Sequence, residues 1–245
     1  MKKFYDLHLS VPLGNSELTK KMVRKAKLLG YAGIGISFSS SIPGEIVSDL
    51  RQLCKDVGID LITRVDLEPK DPKDLLMQLR QYRRRVEIIS VTSCHKPTAR
   101  QAAKDRRVDL ISFHSLDFKR RFFDSAEAEL SANSLAALEI DMSHLLLATS
   151  YRRIRLLSHL RREIGLARRF SVPVVLSSGA TNEIFMRGPR SLAALAYLLD
   201  VPSDVASRYL SENPLAIITR NRIKLDSSYV APGLRVIRRS KECVE

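Results

Sequence analysis

The sequence predicts a single α/β domain folded as a distorted TIM-like (β/α) barrel of seven or eight parallel strands. Short runs rich in Ile, Val and Leu alternate with amphipathic helical segments, and most runs begin about 22 to 28 residues after the previous one. Nearly continuous apolar runs are typical of parallel strands that helices cover from outside. A chain of 245 residues is long enough to bury a large core in one domain.

Seven of these runs are predicted to be the barrel strands. They are FYDLHLSV (4–11), YAGIGISF (31–38), IDLITRVDL (59–67), VEIISVT (86–92), VDLISFH (108–114), LAALEIDM (135–142) and VPVVLSS (172–178). The segment LAIITRNRI (215–223) either supplies an eighth strand or packs as an extra element. A doubly wound open sheet is the alternative fold, but no G-x-G-x-x-G follows the first strand, which disfavours it.

Capping residues locate the intervening helices. Helices are predicted to begin at Ser16, Pro43, Asp71-Pro72 and Thr149 or Ser150, and Gly30 and Gly58 are expected to end the first two. These are the N-cap, N1-proline and C′-glycine signals that bound helices. No change in composition divides the chain, so residues 1–245 are predicted to form one domain, with a basic tail from about residue 222.

Composition narrows the class of protein. The apolar runs are far shorter than the roughly 20 residues that span a bilayer, so we expect no membrane association. The start MKKFYDLHL alternates apolar and polar residues, which is unlike a signal peptide. Cys54, Cys94 and Cys243 share no metal-binding spacing, and an odd number argues against a disulfide framework. A reducing cytoplasm is the expected location.

The net charge of +14 is unevenly distributed along the chain. Residues 1–79 hold 12 basic and 10 acidic side chains, whereas residues 80–121 hold 12 basic and 4 acidic ones. Residues 152–169 hold seven arginines and a single acid, Glu163. Surface ion-pair networks are the alternative explanation, but they need acids near the bases. The pattern therefore favours a polyanionic partner such as a nucleic acid.

Polar residues gather at the predicted carboxyl ends of the strands, where barrels of this class place their chemistry. They are Asp6, His8, Ser10, Ser37, Ser39, Arg64, Asp66, Cys94, His95, His114, Glu139, Asp141, Ser177, Ser178 and Gly179. Imidazole and carboxylate groups are the usual ligands of Zn, Mn or Fe. The more common case for a single histidine in a barrel mouth is a hydrogen bond to its neighbours.

The D-L-H start and the late S-S-G-A-T resemble the polymerase and histidinol phosphatase barrels, which are metal-dependent phosphoesterases. That family begins with a His-x-His pair and ends with an Asp-x-His pair. Here Ser10 follows His8, and Thr181 follows Gly179, so both pairs are broken. Because hydroxyls do not replace imidazole ligands at comparable strength, we expect no metal site, with Asp6 and His8 as remnants of one.

One branch of that superfamily is much more similar: the family of archaeal ribonuclease P protein component 3. The similarity covers essentially the whole chain and is carried by VDLISFH (108–114), VPVVLSSGATNE (172–183), MRGPRSLAALAYLLDV (186–201) and LSENPLAIITRNR (210–222). It implies a non-catalytic barrel that binds the catalytic RNA of ribonuclease P, an endonuclease that matures the 5′ end of precursor tRNA. It also implies pairing with protein component 2, as a heterotetramer, and assembly with other holoenzyme proteins. The chain itself then needs no cofactor, because the RNA binds the Mg²⁺ ions.

The same resemblance selects RNA-binding residues. The family's important bases lie in the fourth helix, after the fifth strand and in the R-x-P-R stretch, which match Arg100, Lys119 or Arg120, and Arg187 or Arg190. A further family lysine before the sixth strand has no basic counterpart in SANSLAALEI. Arg152 and Arg153, which open the long helix, and Arg64 are expected on the same carboxyl-end face. Arginine suits phosphate because its planar fork bonds two oxygens.

Other bases and aromatic residues have open roles. Arg83, Arg84, Arg85, Arg106, Arg107, Arg168 and Arg169 close helices and are expected on the opposite, amino-end face, with no assigned partner. Phe113, Phe118, Phe122 and Phe123 flank the basic run 119–121 and could stack on RNA bases, although such residues more often belong to the core.

Two other functions compete with RNA binding. A metal-dependent phosphoesterase or nuclease would use Asp6, His8, His114, Glu139 and Asp141. A metabolic enzyme would use Asp66 and Asp141 as acid and base and would bind a phosphate through SSGAT. The metabolic enzyme leaves the basic helices unexplained.

Overall fold

The computed structural model describes residues 2–13, 16–38, 44–93, 95–114, 118–231 and 234–237. Seven strands form one parallel sheet in chain order, each pairing with the next, as the sequence predicts. They are β1 Tyr5–Leu9, β2 Gly33–Phe38, β3 Asp60–Leu67, β4 Ile88–Thr92, β5 Leu110–Ser112, β6 Ala137–Asp141 and β7 Val174–Ser177. The predictions that involve Pro43, Ser39 and Cys94 fall outside the described residues.

Ten α-helices accompany the strands within the described ranges. They are α1 Ser16–Leu28, α2 Gly44–Val57, α3 Pro72–Tyr82, α4 Lys96–Lys104, α5 Ser125–Ser134, α6 Met142–Leu147, α7 Ser150–Arg169, α8 Pro189–Leu195, α9 Ser203–Tyr209 and α10 Glu212–Leu225. The Asp71 carboxylate accepts the backbone N–H groups of Lys73 (2.7 Å) and Asp74 (2.9 Å), which confirms it as the N-cap of α3. Thr149 occupies the N-cap of α7, and Gly30 and Gly58 follow α1 and α2 with positive φ.

The sheet closes on itself at the carboxyl ends of its first and last strands. Leu9 forms a parallel bridge with Ala180, just beyond β7. The Gly179 N–H donates to the His8 carbonyl (3.0 Å) and the Ser10 N–H donates to the Ala180 carbonyl (3.1 Å). These bonds between the SSGAT segment and β1 complete the barrel mouth.

At the amino ends of the strands, α10 fills the gap between β1 and β7. The segment 215–223 lies in this helix, so it is the extra element rather than an eighth strand. Ile217 and Ile218 enter the apolar bottom of the barrel. The Tyr5 N–H donates to the Leu210 carbonyl (2.8 Å), and the Asn213 side-chain amide donates to the Val174 carbonyl (2.7 Å). Helix ends therefore satisfy the sheet edges that a missing strand would leave open.

The barrel interior is built in layers, because alternate strand residues point inward. The lower layer is apolar and consists of Tyr5, Leu7, Ile62, Ile88, Leu110, Ala137 and Val175 with the two isoleucines of α10. A Cβ on Gly33 would lie 2.8 Å from the Tyr5 ring, so glycine on β2 makes room for that ring. Further along the strands the interior becomes polar, at Arg64, Ser90, Glu139 and Ser177.

The chain after α10 forms a short antiparallel hairpin. Its strands are β8 Tyr229–Ala231 and β9 Leu234–Arg235. The helix thus continues four residues beyond Asn221 before the extended part of the predicted tail begins. Across the ranges that the structure describes, every helix falls short of the length and apolar character needed to cross a membrane.

Candidate functional site

Arg64 lies at the centre of the barrel mouth and is fully buried. Its Nη1 and Nη2 donate to the two carboxylate oxygens of Glu139 (2.5 and 2.7 Å), and its Nε and Nη2 donate to Asp66 Oδ1 (2.8 and 2.6 Å). Nη1 also donates to the Leu7 carbonyl (2.9 Å). The assignment of Arg64 to RNA contact is therefore wrong, because its donors are occupied and it reaches no surface.

Glu139 is the acceptor around which this network is built. Besides Arg64, the hydroxyls of Ser177 (2.6 Å) and Ser90 (3.2 Å) donate to it. Burial alone would raise the pKa of Glu139, but the Arg64 guanidinium lowers it below its ordinary value. With the bond from Arg64 to the Leu7 carbonyl, five strands (β1, β3, β4, β6 and β7) are tied together by this buried ion pair.

His8 joins the network from β1. Its Nδ1 lies 3.1 Å from Asp141 Oδ2, and its Nε2 lies 3.7 Å from Asp66 Oδ2. Burial and Arg64 push the pKa of His8 down, but Asp141, Glu139 and Asp66 outweigh them and the pKa is raised. Burial also opposes ionisation of Asp66, yet Arg64 and His8 lower its pKa to about 2. His8 serves here as a hydrogen-bonding group of the mouth.

Asp6 and Gly179 fix the closure. Asp6 Oδ1 accepts the backbone N–H groups of Ser178 (3.0 Å) and His8 (3.2 Å), and burial raises the pKa of this carboxyl. Gly179 has a φ of +59°, and a Cβ there would lie 2.0 Å from Asp141 Oδ1. Glycine in SSGAT is thus required both by the backbone conformation and by the close approach of Asp141.

The donors proposed for a metal-dependent phosphoesterase do not form a ligand set. Glu139 is bonded to Arg64, and Asp141 is shared between His8 and the Ser143 backbone N–H (2.8 Å). His114 stacks on His144 with ring centroids 4.8 Å apart. Among the described residues, no group of three or more His, Cys, Asp or Glu side chains could hold a metal ion.

The predicted RNA-binding arginine of α4, Arg100, is half-buried and paired. It donates to Asp124 (2.5 and 2.6 Å) and to Glu127 (2.5 Å), which ties α4 to α5. Glu127 is buried, and burial raises its pKa to about 7 although Arg100 opposes the shift. The charge of Arg100 is therefore largely committed inside the protein.

The three basic residues after β5 differ in their exposure to solvent. Lys119 and Arg120 lie on an exposed single turn of 3₁₀-helix. The next residue, Arg121, is buried and donates to both oxygens of Glu163 on α7 (2.6 Å each) and to the Phe113 carbonyl (2.6 Å). Arg121 anchors this turn, so that its two neighbours are held at the surface.

The remaining predicted bases of the carboxyl-end face lie at the starts of α7 and α8. Arg152 and Arg153 are exposed in the first turn of α7, where Arg153 Nε donates to the Ala148 carbonyl (2.9 Å). Arg187 Nη1 donates to the carbonyls of Ile184 (2.7 Å) and Met186 (3.1 Å). Arg190 is exposed in the first turn of α8.

The aromatic residues beside the basic run are mainly core. Phe113 and Phe123 are 5% and 1% exposed and pack edge to face with ring centroids 6.3 Å apart. Phe122 is half-buried against the same core. The idea that Phe113 and Phe123 stack on RNA bases is therefore wrong, and the side chain of Phe118 lies outside the described atoms.

At the amino-end face, the buried carboxylate of Asp109 organises several bases. It accepts Arg83 Nη1 (2.5 Å), Arg220 Nη2 (2.9 Å) and the Asn221 side-chain amide (2.7 Å). Arg107 pairs with Asp105 (2.7 Å). Arg84, Arg85, Arg106, Arg168 and Arg169 are exposed on or near this face. Four arginines of residues 80–121 thus have acidic partners, and two of the four, Arg100 and Arg121, find them outside that segment.

Sequence reasoning missed Arg121, Glu163 and Asp109 as structural centres. It also expected Arg64 to contact RNA at the carboxyl-end face, although strand periodicity predicts an inward side chain at this position. Ile62 and Arg64 lie two residues apart on β3, and Ala137 and Glu139 lie two residues apart on β6. Side chains two residues apart on a strand point to the same side, so Arg64 and Glu139 point into the barrel as Ile62 and Ala137 do. An inward cation and an inward acid at the same level of a barrel are expected to pair.

Comparisons with known proteins agree on one family. The family model for "RNase P subunit p30" matches residues 3–225. Ribonuclease P protein component 3 of Methanococcoides burtonii is 30% identical over 235 residues, which cover 96% of this chain and 94% of that protein. The protein of the same name from Methanosarcina barkeri is 28% identical over 96% of each chain. A chain in a cryo-EM structure of archaeal ribonuclease P with mature tRNA superposes with a TM-score of 0.80 at 23% identity, covering 91% of this chain and 96% of that one.

Proposed function

The chain belongs to the RNase P subunit p30 family, and from this premise we propose that it is a protein subunit of ribonuclease P. In this role it binds and stabilises the catalytic RNA, and the holoenzyme removes the 5′ leader of precursor tRNA. Family membership over nearly the whole barrel is the observation that carries the proposal.

The chemistry of the mouth supports a binding role. Barrel enzymes work with groups at the carboxyl-end face that are open to substrate. Here the acids of that face are bonded to Arg64 and His8, whereas Arg120, Arg152 and Arg190 around it are exposed. A face whose acids are neutralised inside and whose bases point outward attracts phosphate groups. The chain alone performs no reaction in this proposal, and the Mg²⁺ ions belong to the RNA.

The candidate bases divide into two roles. Arg120, Arg152, Arg190 and Lys119 contact RNA phosphates, and such contacts position the RNA without reading its sequence. Arg100 and Arg187, which donate to protein acceptors, position the elements that carry the contacting bases. Precursor tRNA is contacted only through the RNA. Protein component 2 is the proposed protein partner, in a heterotetramer.

Reconstitution tests the proposal. RNase P RNA is assembled with the parent chain or with R120Q/R190Q, in the presence of protein component 2, and precursor tRNA cleavage is measured over a range of Mg²⁺ concentrations. Losing two phosphate contacts should raise the Mg²⁺ concentration needed for half-maximal rate, because less RNA charge is screened by protein. The matched control is K25Q/R51Q, which removes the same charge from exposed positions on α1 and α2.

Two results would contradict the proposal. If the parent chain leaves cleavage unchanged, it is no functional subunit. If R120Q/R190Q and the control restore cleavage equally, the contact assignment is wrong. Phosphatase turnover by the purified chain with bound Zn, Mn or Fe would instead favour the phosphoesterase alternative.

A further inference from the structure

Helix α7 presents a continuous exposed stripe along the side of the barrel. The members of this outer stripe are Tyr151, Arg155, Ser158, Arg162, Gly165 and Arg169, and all six are exposed. They follow each other at intervals of four and three residues, which places them on one side of a helix. The 20-residue helix is about 30 Å long, and arginines seven residues apart are separated by about 10.5 Å.

Two arginines of the stripe, Arg155 and Arg169, carry positive charge that no acid of α7 balances. Glu163 is the only acidic residue of α7, and it is buried against Arg121 on the opposite side. Arg155 lies over the Tyr151 ring (4.8 Å) and Arg169 over the Phe170 ring (5.8 Å). Within the described ranges neither of these two arginines forms an ion pair. A row of like charges is unfavourable in the free protein and is relieved by a polyanion.

Small residues alternate with the arginines. Gly165 lies between Arg162 and Arg169, and Ser158 occupies the equivalent place one heptad earlier. A Cβ on Gly165 would meet no atom within 4 Å, so packing inside this chain does not require glycine there. A glycine inside an exposed helix costs about 1 kcal/mol relative to alanine. Its small size gives a partner's backbone room to approach the helix between two guanidinium groups.

The stripe favours an RNA double helix over a single strand. Single-strand binding relies on aromatic platforms for the bases. The stripe has one aromatic side chain, Tyr151, and the Arg155 guanidinium occupies one face of its ring. A straight row of arginines offers contacts to phosphates only, and double-stranded RNA is recognised mainly through its shape and backbone.

We propose that the outer stripe of α7 binds the sugar–phosphate backbone of an RNA double helix. This surface is additional to the carboxyl-end face, because Arg162 and Arg169 lie on the second half of the helix and lead toward the amino-end face. The proposal rests on the proposed function in that the natural occupant is a helix of the ribonuclease P RNA.

A defined duplex tests the surface directly. Binding of the full chain to a labelled RNA duplex of about 20 base pairs is followed by fluorescence anisotropy at several salt concentrations. The variant R155Q/R162Q/R169Q should bind about tenfold more weakly than the parent at 0.1 M salt, as for three exposed charge contacts. The slope of log affinity against log salt should become shallower by about 3.

The matched control is R24Q/R51Q/R80Q, which removes three exposed arginines from α1, α2 and α3. Both triple variants have the same net charge, so an effect of overall charge would weaken them equally. We expect the control to stay within about twofold of the parent. Equal losses in the two variants, or no loss in either, would overturn the proposal.

Gly165→Ala should change the stability of the free chain and its affinity for the duplex in opposite directions. Alanine should raise the melting temperature of the free chain, since it favours the helix and meets open space. It should also weaken duplex binding several-fold, because the methyl group occupies the approach between Arg162 and Arg169. A variant that is stabilised and binds the duplex as the parent does would contradict close approach at this position.

Failure of this inference can be told apart from failure of the proposed function. Precursor tRNA cleavage is measured with the same variants in the reconstituted holoenzyme. If R155Q/R162Q/R169Q binds the duplex as the parent does, the inference is wrong, whether or not cleavage is stimulated. If that variant also fails to assemble into the holoenzyme, the stripe binds an acidic protein instead. If the parent binds duplex through α7 but does not stimulate cleavage, the site stands and the proposed function fails.

Discussion

Arg64 and Arg155 have the same side chain in opposite surroundings. Arg64 is fully buried and donates to Glu139, Asp66 and a backbone carbonyl. Arg155 lies exposed on α7, with its guanidinium 4.8 Å from the centre of the Tyr151 ring. The net charge of +14 therefore overstates the binding surface of this protein, since part of its basic charge holds the barrel together.

The same division separates the two sides of α7. Its inner side bonds Arg121 through Glu163, whereas its outer stripe repeats arginine every seven residues. At the barrel bottom, Asp109 binds Arg83 and Arg220 from other parts of the chain. Arginine that is buried against an acid supports the fold, and arginine that is exposed on the outer stripe can reach RNA.

The largest expected effect is that of Arg64→Met. Removing the guanidinium leaves Glu139 buried without its counter-charge, which should lower the free energy of unfolding by about 3 to 5 kcal/mol. Urea denaturation at pH 7 measures the loss. The pKa of Glu139 should then rise, because burial is no longer opposed. A carboxyl with a raised folded pKa loses stability as pH rises, so the variant should regain stability on acidification toward pH 5.

A paired replacement sharpens this prediction. Arg64→Met combined with Glu139→Leu removes both charges and should be more stable than Arg64→Met alone. If Arg64→Met unfolds at the urea concentration of the parent, Arg64 is not the structural centre that its contacts indicate.

The next effect concerns the bottom of the barrel. Asn221→Leu removes the amide that donates to the Glu87 carbonyl (2.8 Å) and to Asp109 (2.7 Å). Leaving these two buried acceptors without their donor should lower the free energy of unfolding by about 1 to 3 kcal/mol. Ile223→Ala, on the exposed side of the same helix, is the control and should change stability by less than about 0.5 kcal/mol. Equal urea midpoints for the two variants would show that α10 is not fixed by this amide.

The strands and helix starts could be predicted because they depend on local signals. Apolar runs, Asp71 before Pro72 and glycines after helices act over a few residues. The segment 215–223 could not be assigned, since its isoleucines and threonine suit a strand as well as a helix. Its neighbours decide the matter, because the gap between β1 and β7 accepts a helix whose Ile217 and Ile218 fill the barrel bottom.

The site was less predictable because its pairs are distant in sequence. Arg64 and Glu139 are 75 residues apart, and Arg121 and Glu163 are 42 apart. Counting acids within a segment does not detect such partners. Inward periodicity along β3 and β6 does detect the first pair, but the second lies between a turn and a helix, where no period applies.

A smaller effect is expected from the pH dependence of Glu127, the acid that holds Arg100. Its pKa is raised by burial to about 7, from an ordinary value of 4.5. Between these values the folded chain binds more protons than the unfolded chain, so stability falls as pH rises. The side chain in Glu127→Gln cannot titrate. Between pH 5 and 7, the free energy of unfolding of this variant should therefore fall by about 1 to 2 kcal/mol less than that of the parent. Identical pH profiles of the urea midpoint would contradict this.

The smallest expected change in stability is that of Arg190→Gln, and it marks the other end of the comparison. Arg190 is exposed in the first turn of α8, where the positive end of the helix dipole disfavours a cation. Removing its charge should leave the free energy of unfolding unchanged or raise it by up to about 0.5 kcal/mol. In the reconstituted holoenzyme the same variant should need more Mg²⁺ for cleavage, since a phosphate contact is lost. Arg190 then slightly lowers the free energy of unfolding and contacts RNA, whereas Arg64 only stabilises the fold. A loss of more than about 1 kcal/mol in the free energy of unfolding of Arg190→Gln would contradict this distinction.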